Sequence, residues 1–260
     1  MSLLGEERRK HIIQLLDSKG KVKVSKLATE FNVSGETIRR DLDELEKKNV
    51  LKKVYGGAVK VSFNGVEPIH EVRQVINLDK KKEIGKKAAE LVNDNEVIVI
   101  DVGTTTMQMI PHLMGKKNLT ILSNSFVGIN LLIKLLNEGE FTGEVIFIGG
   151  KVNSGQFTVY GTLSEIIVDM FYPDKAFIAV GGLCIDSGIN DYNLDEASLS
   201  RKIMKNSKFN IVLVDSSKLG VRNACKITSM NNIDVIICNE RPPMDWYSKL
   251  MNLGIEWITV

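Results

Sequence analysis

Six short runs in this chain are apolar at nearly every position: Val97–Val102, Leu119–Ser123, Val145–Ile148, Ala176–Val180, Asn210–Val214 and Val235–Cys238. A strand with one wet face alternates with period two, whereas an unbroken apolar run is covered on both faces. Helical spacing falls between the runs, at Val127–Leu136, Gly161–Met170 and Asp195–Lys205. A further helix after Thr106 meets Pro111, which kinks it or ends it early. Strands alternating with helices predict an α/β domain built on an open, mostly parallel sheet. The runs are far shorter than the roughly 20 apolar residues of a membrane helix, so no membrane partner is expected.

Residues 1–60 follow a different pattern. They carry 14 Lys and Arg against 9 Asp and Glu, while the remainder carries 20 against 23. A basic module beside a mildly acidic one suits a DNA-reading head on a body with another task. The apolar face of Ile12, Ile13, Leu15 and Leu16 predicts a first helix over Glu6–Asp17, closed by Gly20. Lys21–Val24 alternates briefly, and Ser25 is the expected N-cap of a second helix with Leu27, Ala28 and Phe31. Asn32–Ser34 makes the next turn, and Ser34 caps a third helix that ends at Asn49. There Ile38, Leu42 and Leu45 share one face, which leaves Arg39 and Arg40 beside it and pointing outward. Leu51–Lys60 reads as a hairpin turning on Gly56 and Gly57.

Three helices and a hairpin make a winged helix-turn-helix, whose third helix fits the major groove of double-stranded DNA. A three-helix bundle that binds nothing has the same helix spacing but no reason for the arginine pair and the basic wing. The expected DNA contacts are Ser34, Thr37, Arg39 and Arg40 from the helix, and Lys52, Lys53 and Tyr55 from the wing. Residues 61–78, with Gly65 and Pro68, are expected to be a linker, and the second domain spans 79–260. It should open on a helix capped by Asp79, with Lys80, Lys81 and Lys82 as a solvated end.

In the larger domain Asp101–Thr106 leaves a strand, turns on Gly103 and enters a helix. Free backbone amides, the positive end of a helix dipole and three threonine hydroxyls converge there, which makes a phosphate cradle. It has neither the GxGxxG of a dinucleotide site nor the GK[ST] of a P-loop, which leaves a mononucleotide or a sugar phosphate. Polar clusters end four other runs: Ser123–Ser125, Gly149–Lys151, Gly181–Gly182 and Asp215–Lys218. In a parallel sheet these ends share one edge, where ligands bind. Cys184, Cys225 and Cys238, like the three histidines, are scattered. No metal site, cofactor or disulfide framework is expected, and the compartment is the cytoplasm. The start, Met1–Glu7, turns polar after two leucines, so no secretory signal is expected.

These segments resemble the DeoR family of bacterial sugar-metabolism repressors along nearly the whole chain. The resemblance rests on Val33–Ser34, Thr37–Leu42, Tyr55–Ala58, Ile100–Thr105, Asn124, Gly149–Gly150, Asp195–Ala197 and Asp215–Lys218. It implies a winged-helix head and a sensor domain similar to ribose-5-phosphate isomerase. A phosphorylated sugar bound there would relieve repression, and the body would form a homo-oligomer, a dimer or tetramer. Gly103, Thr104, Thr105 and Lys218 would then hold the phosphate. Asp101, Asn124, Asp191 and Glu196 would take the sugar hydroxyls, with Gly150 and Lys151 also lining the site. The rival is an isomerase-like enzyme fused to a nucleic-acid-binding head. The isomerases carry a lysine- and glycine-rich loop followed by a glutamate. Here Asp186–Glu196 has no lysine and one glycine, and a rough alignment sets that glutamate near Arg201. The departure points to a pocket that binds without turnover, and hence to no enzyme.

Overall fold

Runs of Val, Ile and Leu with no polar face form strands only where helices cover both sides, and the body does this. The computed structural model describes residues 5–48, 50–60 and 67–260. The expected helix end at Asn49 and residues 61–66 of the expected linker lie outside the described residues. By compactness the chain divides into a head, residues 1–78, and a body, residues 79–260.

In the head, helices α1 (Gly5–Lys19), α2 (Val24–Phe31) and α3 (Gly35–Lys47) are joined to strands β1 (Lys21–Lys23), β2 (Leu51–Val54) and β3 (Gly57–Lys60). The wing has three strands, because β1 pairs with β3 outside the expected β2–β3 hairpin. Ile12, Leu16, Leu27, Phe31, Ile38, Leu42 and Leu45 form the core. A short helix, α4 (His70–Arg73), follows in the stretch expected to be a linker, and Val72 and Val75 are buried in that same core. Ser25 is not the N-cap of α2. The helix begins at Val24 straight from β1, its cap residue Lys23 is extended, and no side chain caps it. The wing turns on Tyr55 and Gly56 instead of two glycines, with Gly56 at φ +75°. Gly57 already belongs to β3, where a Cβ would lie 2.0 Å from the Val22 carbonyl oxygen.

The body starts with α5 (Leu78–Glu90) and β4 (Val97–Ile100), followed by a 3-10 segment, Thr106–His112. That segment holds Pro111, whose missing N–H and fixed φ disfavour a regular α-helix. Then come β5 (Leu119–Ser123), α6 (Phe126–Asn137), β6 (Gly143–Phe147), the hairpin β7 (Lys151–Asn153) and β8 (Thr158–Tyr160), and α7 (Thr162–Val168). The second half runs β9 (Lys175–Ala179), β10 (Gly182–Cys184), β11 (Gly188–Asp191), α8 (Leu194–Asn206), β12 (Phe209–Val214), β13 (Cys225–Thr228), β14 (Val235–Cys238), α9 (Tyr247–Leu253) and β15 (Glu256–Thr259). Asp79 lies inside α5 with its carboxylate in solvent, so it is not the cap the sequence suggested.

Seven strands make one sheet in the order β15-β14-β12-β9-β4-β5-β6, and every pair in it is parallel. Successive residues face opposite cores. Val99, Val212 and Val214 pack with Val168, Ile203 and Leu250 on one side. Ile98, Ile100, Ile211 and Leu213 pack with Ile84, Ile110 and Leu132 on the other. From β4 the chain steps outward through β5 to β6, then returns to β9 on β4's other flank. The carboxyl ends of β4 and β9 therefore form the topological switch point, where loops diverge and leave a crevice. Two small sheets, β10-β11-β13 and β7-β8, add to it. Among the described residues no helix is long and apolar enough to cross a membrane.

Candidate functional site

The head presents α3 as a recognition helix. Ser34 caps it, its hydroxyl oxygen accepting from the Thr37 N–H at 3.1 Å and lying 3.0 Å from the Thr37 hydroxyl. Such a cap stabilises a helix by about 1 kcal/mol. Arg39 and Arg40 are exposed and, among the described residues, pair only with Glu36, at 3.4 and 3.9 Å. Exposed pairs of this kind contribute roughly 0–1 kcal/mol, so both guanidinium groups are easily ceded to a phosphate or a base. Behind them Asp41 is buried and receives Arg8 of α1 at 2.5 Å and Arg9 at 3.3 Å. This fixes α3 on α1. In the wing Lys52 and Tyr55 stand in solvent. Lys53 is tied to α3 instead, its ammonium on Asp43 and its N–H on the Glu46 carboxylate at 2.7 Å. It sets the wing's position on the recognition helix, a role the sequence did not suggest.

In the body the loop after β4 lies against the end of β9. A Cβ on Gly103 would sit 2.2 Å from the Ala179 Cβ, so only glycine allows this approach. Asp101, at the tip of β4, is buried. One carboxylate oxygen accepts from Asn124 Nδ2 and the Val102 N–H, both at 2.9 Å, and the other from the Ser200 hydroxyl at 2.6 Å. Burial pushes its pKa up to about 6, the Ser200, Asn124 and Val102 donors oppose the rise, and the Asp191 charge adds to it.

Lys81 is the residue that the sequence concealed. Expected on a solvated helix end, it is buried, and its ammonium donates to the Thr104 hydroxyl at 3.0 Å. One turn later on α5 is Gly85, where a Cβ would lie 2.4 Å from the Gln108 carbonyl carbon. That backbone-to-backbone contact brings α5 close enough for Lys81 to enter the threonine loop. Thr104 and Thr105 are themselves buried.

The remaining expected residues fall into two groups. Asp191 takes the Tyr192 N–H at 2.6 Å, and Lys218 lies 5.5 Å from the Tyr192 ring centre. Glu196, in the first turn of α8, accepts from Asn153 of β7 at 2.7 Å. Asn153 and Ser200 were absent from the sequence reading. Gly150 answers to packing, since a Cβ there would lie 2.1 Å from the Ser164 hydroxyl. Lys151 is exposed and lies 5.5 Å from the Tyr160 ring centre. Two buried polar atoms at this edge, Asn124 Oδ1 and Asn223 Nδ2, have no hydrogen-bond partner among the described residues. The edge thus holds the buried cation of Lys81, three buried carboxylates (Asp101, Glu196 and Asp215) and a cluster of hydroxyls, with an unmet acceptor and donor among the described residues. Arg201 donates to the backbone carbonyls of Ile227, at 2.8 Å, and Lys226.

A model of the DeoR-like helix-turn-helix domain matches residues 8–63, and one of the DeoR C-terminal sensor domain matches residues 76–240. The chain belongs to the DeoR family. It is 32% identical to the HTH-type transcriptional regulator GolR of Listeria innocua, over 96% of each chain. It is 34% identical to the putative aga operon transcriptional repressor of Escherichia coli O157:H7, over 98% of this chain and 93% of that one. With the glycerol-3-phosphate regulon repressor of Escherichia coli K12 it shares 28%, over 96% and 97%. Ribose 5-phosphate isomerase A of Methanocaldococcus jannaschii overlays 55% of each chain, with 19% identity and a TM-score of 0.40. As a DeoR-family member the chain is a DNA-binding transcriptional regulator and not an enzyme.

Proposed function

We propose that this regulator represses a sugar-metabolism operon in the cytoplasm and leaves its operator when a phosphorylated sugar enters the crevice. The observation that carries this reading is the pairing of Lys81 with Thr104 beside the buried carboxylate of Asp101. A cation set among hydroxyls and backbone amides suits a phosphate, and a buried carboxylate suits sugar hydroxyls that donate to it. Lys81, Gly103, Thr104, Thr105 and Lys218 hold the phosphate. Asp101, Asn124, Asp191 and Glu196 take hydroxyls, and Lys151 lies at the rim. The relatives named for the aga operon and the glycerol-3-phosphate regulon support this class of signal.

On DNA, Thr37, Arg39 and Arg40 meet the major groove while Ser34, Lys52 and Tyr55 contact the backbone. One winged head makes a small interface, so two heads of a homo-oligomer read a two-fold operator. Effector binding releases DNA to the extent that it favours one arrangement of heads over the other.

A thermal-shift screen against triose, pentose and hexose phosphates tests the reading. A sugar phosphate at a hundred times its Kd adds about 2.7 kcal/mol to the stability of the state it binds. One phosphorylated sugar should raise the melting temperature, while its unphosphorylated form and inorganic phosphate do not. A flat response to every phosphorylated sugar contradicts the proposal.

A further inference from the structure

We infer that the side-chain amide of Asn223 and the carboxylate of Asp191 bracket one hydroxyl of the effector sugar, which accepts from the amide and donates to the carboxylate. The inference rests on the proposed function and deepens it, adding a specificity-determining residue and naming the group it reads. Asn223 lies beyond Lys218 in the loop between β12 and β13. Its Nδ2 is shielded from solvent and has no hydrogen-bond partner among the described residues. An amide nitrogen can only donate, so it needs an acceptor. Gly181 shows what stands beside it. A Cβ on Gly181 would lie 2.9 Å from Asn223 Nδ2 and 3.1 Å from Asp191 Oδ1. Two atoms that close to one point are neighbours, yet the amide does not bond the carboxylate. A hydroxyl suits such a pair, because it accepts one hydrogen bond while donating another. Gly181 follows β9 just after Ala179, against which the Gly103 turn packs, so the pair stands at the same switch point as the threonine loop.

The loop that carries Asn223 is held from β11. Asn190 is buried, its Nδ2 donates to the Val221 carbonyl at 3.0 Å, and its Oδ1 accepts from the Asn223 N–H at 2.8 Å. One side chain thus fixes the backbone on both sides of Arg222. Gly182 makes room for this clamp, since a Cβ there would lie 2.8 Å from Asn190 Oδ1 and 2.2 Å from the Val221 carbonyl oxygen. Asp191 is fixed in turn by the Tyr192 N–H, at 2.6 Å from its Oδ1. The clamp uses only the backbone of Asn223, and the side-chain nitrogen is left over. A buried donor left unmet costs stability, and such local costs gather at functional sites.

The other unmet atom at this edge, Asn124 Oδ1, can only accept. The two atoms therefore ask opposite things of a ligand, an acceptor at Asn223 and a donor at Asn124. A sugar with several hydroxyls meets both. Inorganic phosphate in the threonine loop, or a sugar lacking the hydroxyl at that carbon, leaves Asn223 stranded. A site built to bond a hydroxyl rejects the analogue without it, because its own polar groups are then unpaired.

Isothermal titration of the full chain tests the assignment. The probes are triose, pentose and hexose phosphates, ribose 5-phosphate, glucose 6-phosphate and fructose 6-phosphate among them, with inorganic phosphate as the control. Asn223→Leu keeps the size of the side chain and removes the donor. It should bind the sugar phosphate that wild type binds roughly ten- to a hundredfold more weakly, and inorganic phosphate equally well. Asn223→Asp keeps the shape, replaces the donor with an acceptor and should lose at least as much. Without ligand, Asn223→Leu should melt at or above the wild-type temperature, because the stranded donor is gone. A purely structural role would lower it. Among the monodeoxy forms of that sugar phosphate, one should bind wild type and Asn223→Leu alike, since the hydroxyl in question is already missing. An Asn223→Leu affinity within twofold of wild type, a lowered melting temperature, or an equal loss on every monodeoxy form overturns the assignment and leaves the proposed function standing. A wild type that binds none of the sugar phosphates overturns both, so the two failures are distinguishable.

Discussion

The Ser200 hydroxyl donates to the Asp101 carboxylate at 2.6 Å, although 99 residues separate them in the chain. It joins α8 to the tip of β4 across the switch point of the sheet. It also gives a buried acid a donor that can turn around, so the carboxyl can be satisfied in either protonation state.

Asp101 should therefore write a pH dependence into the body's stability. Its pKa is raised from 3.8 to about 6, mainly by burial, so the folded chain binds the extra proton between those values. Stability contributed by this group falls as pH rises from 3.8 to about 6, by on the order of 3 kcal/mol in full. Asp101→Asn keeps the shape and removes the titration. The difference in urea-unfolding free energy between variant and wild type should grow in the variant's favour across that window, and a pH-independent difference would count against it.

Lys81→Met keeps the buried stem and removes the ammonium. A charged hydrogen bond contributes about 1.5–3 kcal/mol, so affinity for a phosphorylated effector should fall roughly ten- to a hundredfold. Operator binding without effector should be unchanged. Isothermal titration and a parallel gel shift read both, and an effector affinity within twofold of wild type would remove Lys81 from the site.

Arg40→Ala alters an exposed side chain, so the melting temperature should not move. Operator affinity should drop by about 1–3 kcal/mol if the group reads a base edge, and discrimination at one base pair should relax with it. Equal losses on every sequence would place Arg40 on the phosphate backbone instead.

Asp41→Ala removes the buried carboxylate that receives the Arg8 guanidinium at 2.5 Å. Removing one partner of a buried pair costs about 3–5 kcal/mol. The head should unfold at lower urea than the body, which separates the two transitions in tryptophan fluorescence and circular dichroism: Trp246 and Trp257 both lie in the body. A single unshifted transition by both probes would contradict this role for the pair.

Five of the six strands legible in the sequence are buried on both faces, where an unbroken apolar run leaves a compositional mark; the sixth, β6, is the half-buried edge strand. The strands of the hairpin, and β10, β11 and β13, span three or four residues of mixed character, such as Lys151–Asn153, and too few residues carry a period. The recognition helix was legible because cap, stripe and arginines lie within one local segment. Lys81 was not, since Lys80, Lys81 and Lys82 look alike in sequence. What buries the middle one is the contact of Gly85 with Gln108, a tertiary event. Ser200 and Asn153 were hidden for the same reason, because their partners are remote in the chain.

The proposed release of DNA by a phosphorylated sugar bound beside Lys81 is tested most directly by titrating labelled operator DNA with the full chain at fixed salt, reading fluorescence anisotropy, with and without the sugar phosphate that shifts the melting temperature. The wild type should lose operator affinity by at least about tenfold when the effector is present, equivalent to roughly 1.4 kcal/mol of coupling. Lys81→Met should bind the operator as tightly as wild type and resist release at that effector concentration. Operator affinity that is indifferent to every phosphorylated sugar, or a Lys81→Met variant released as readily as wild type, would contradict the claim.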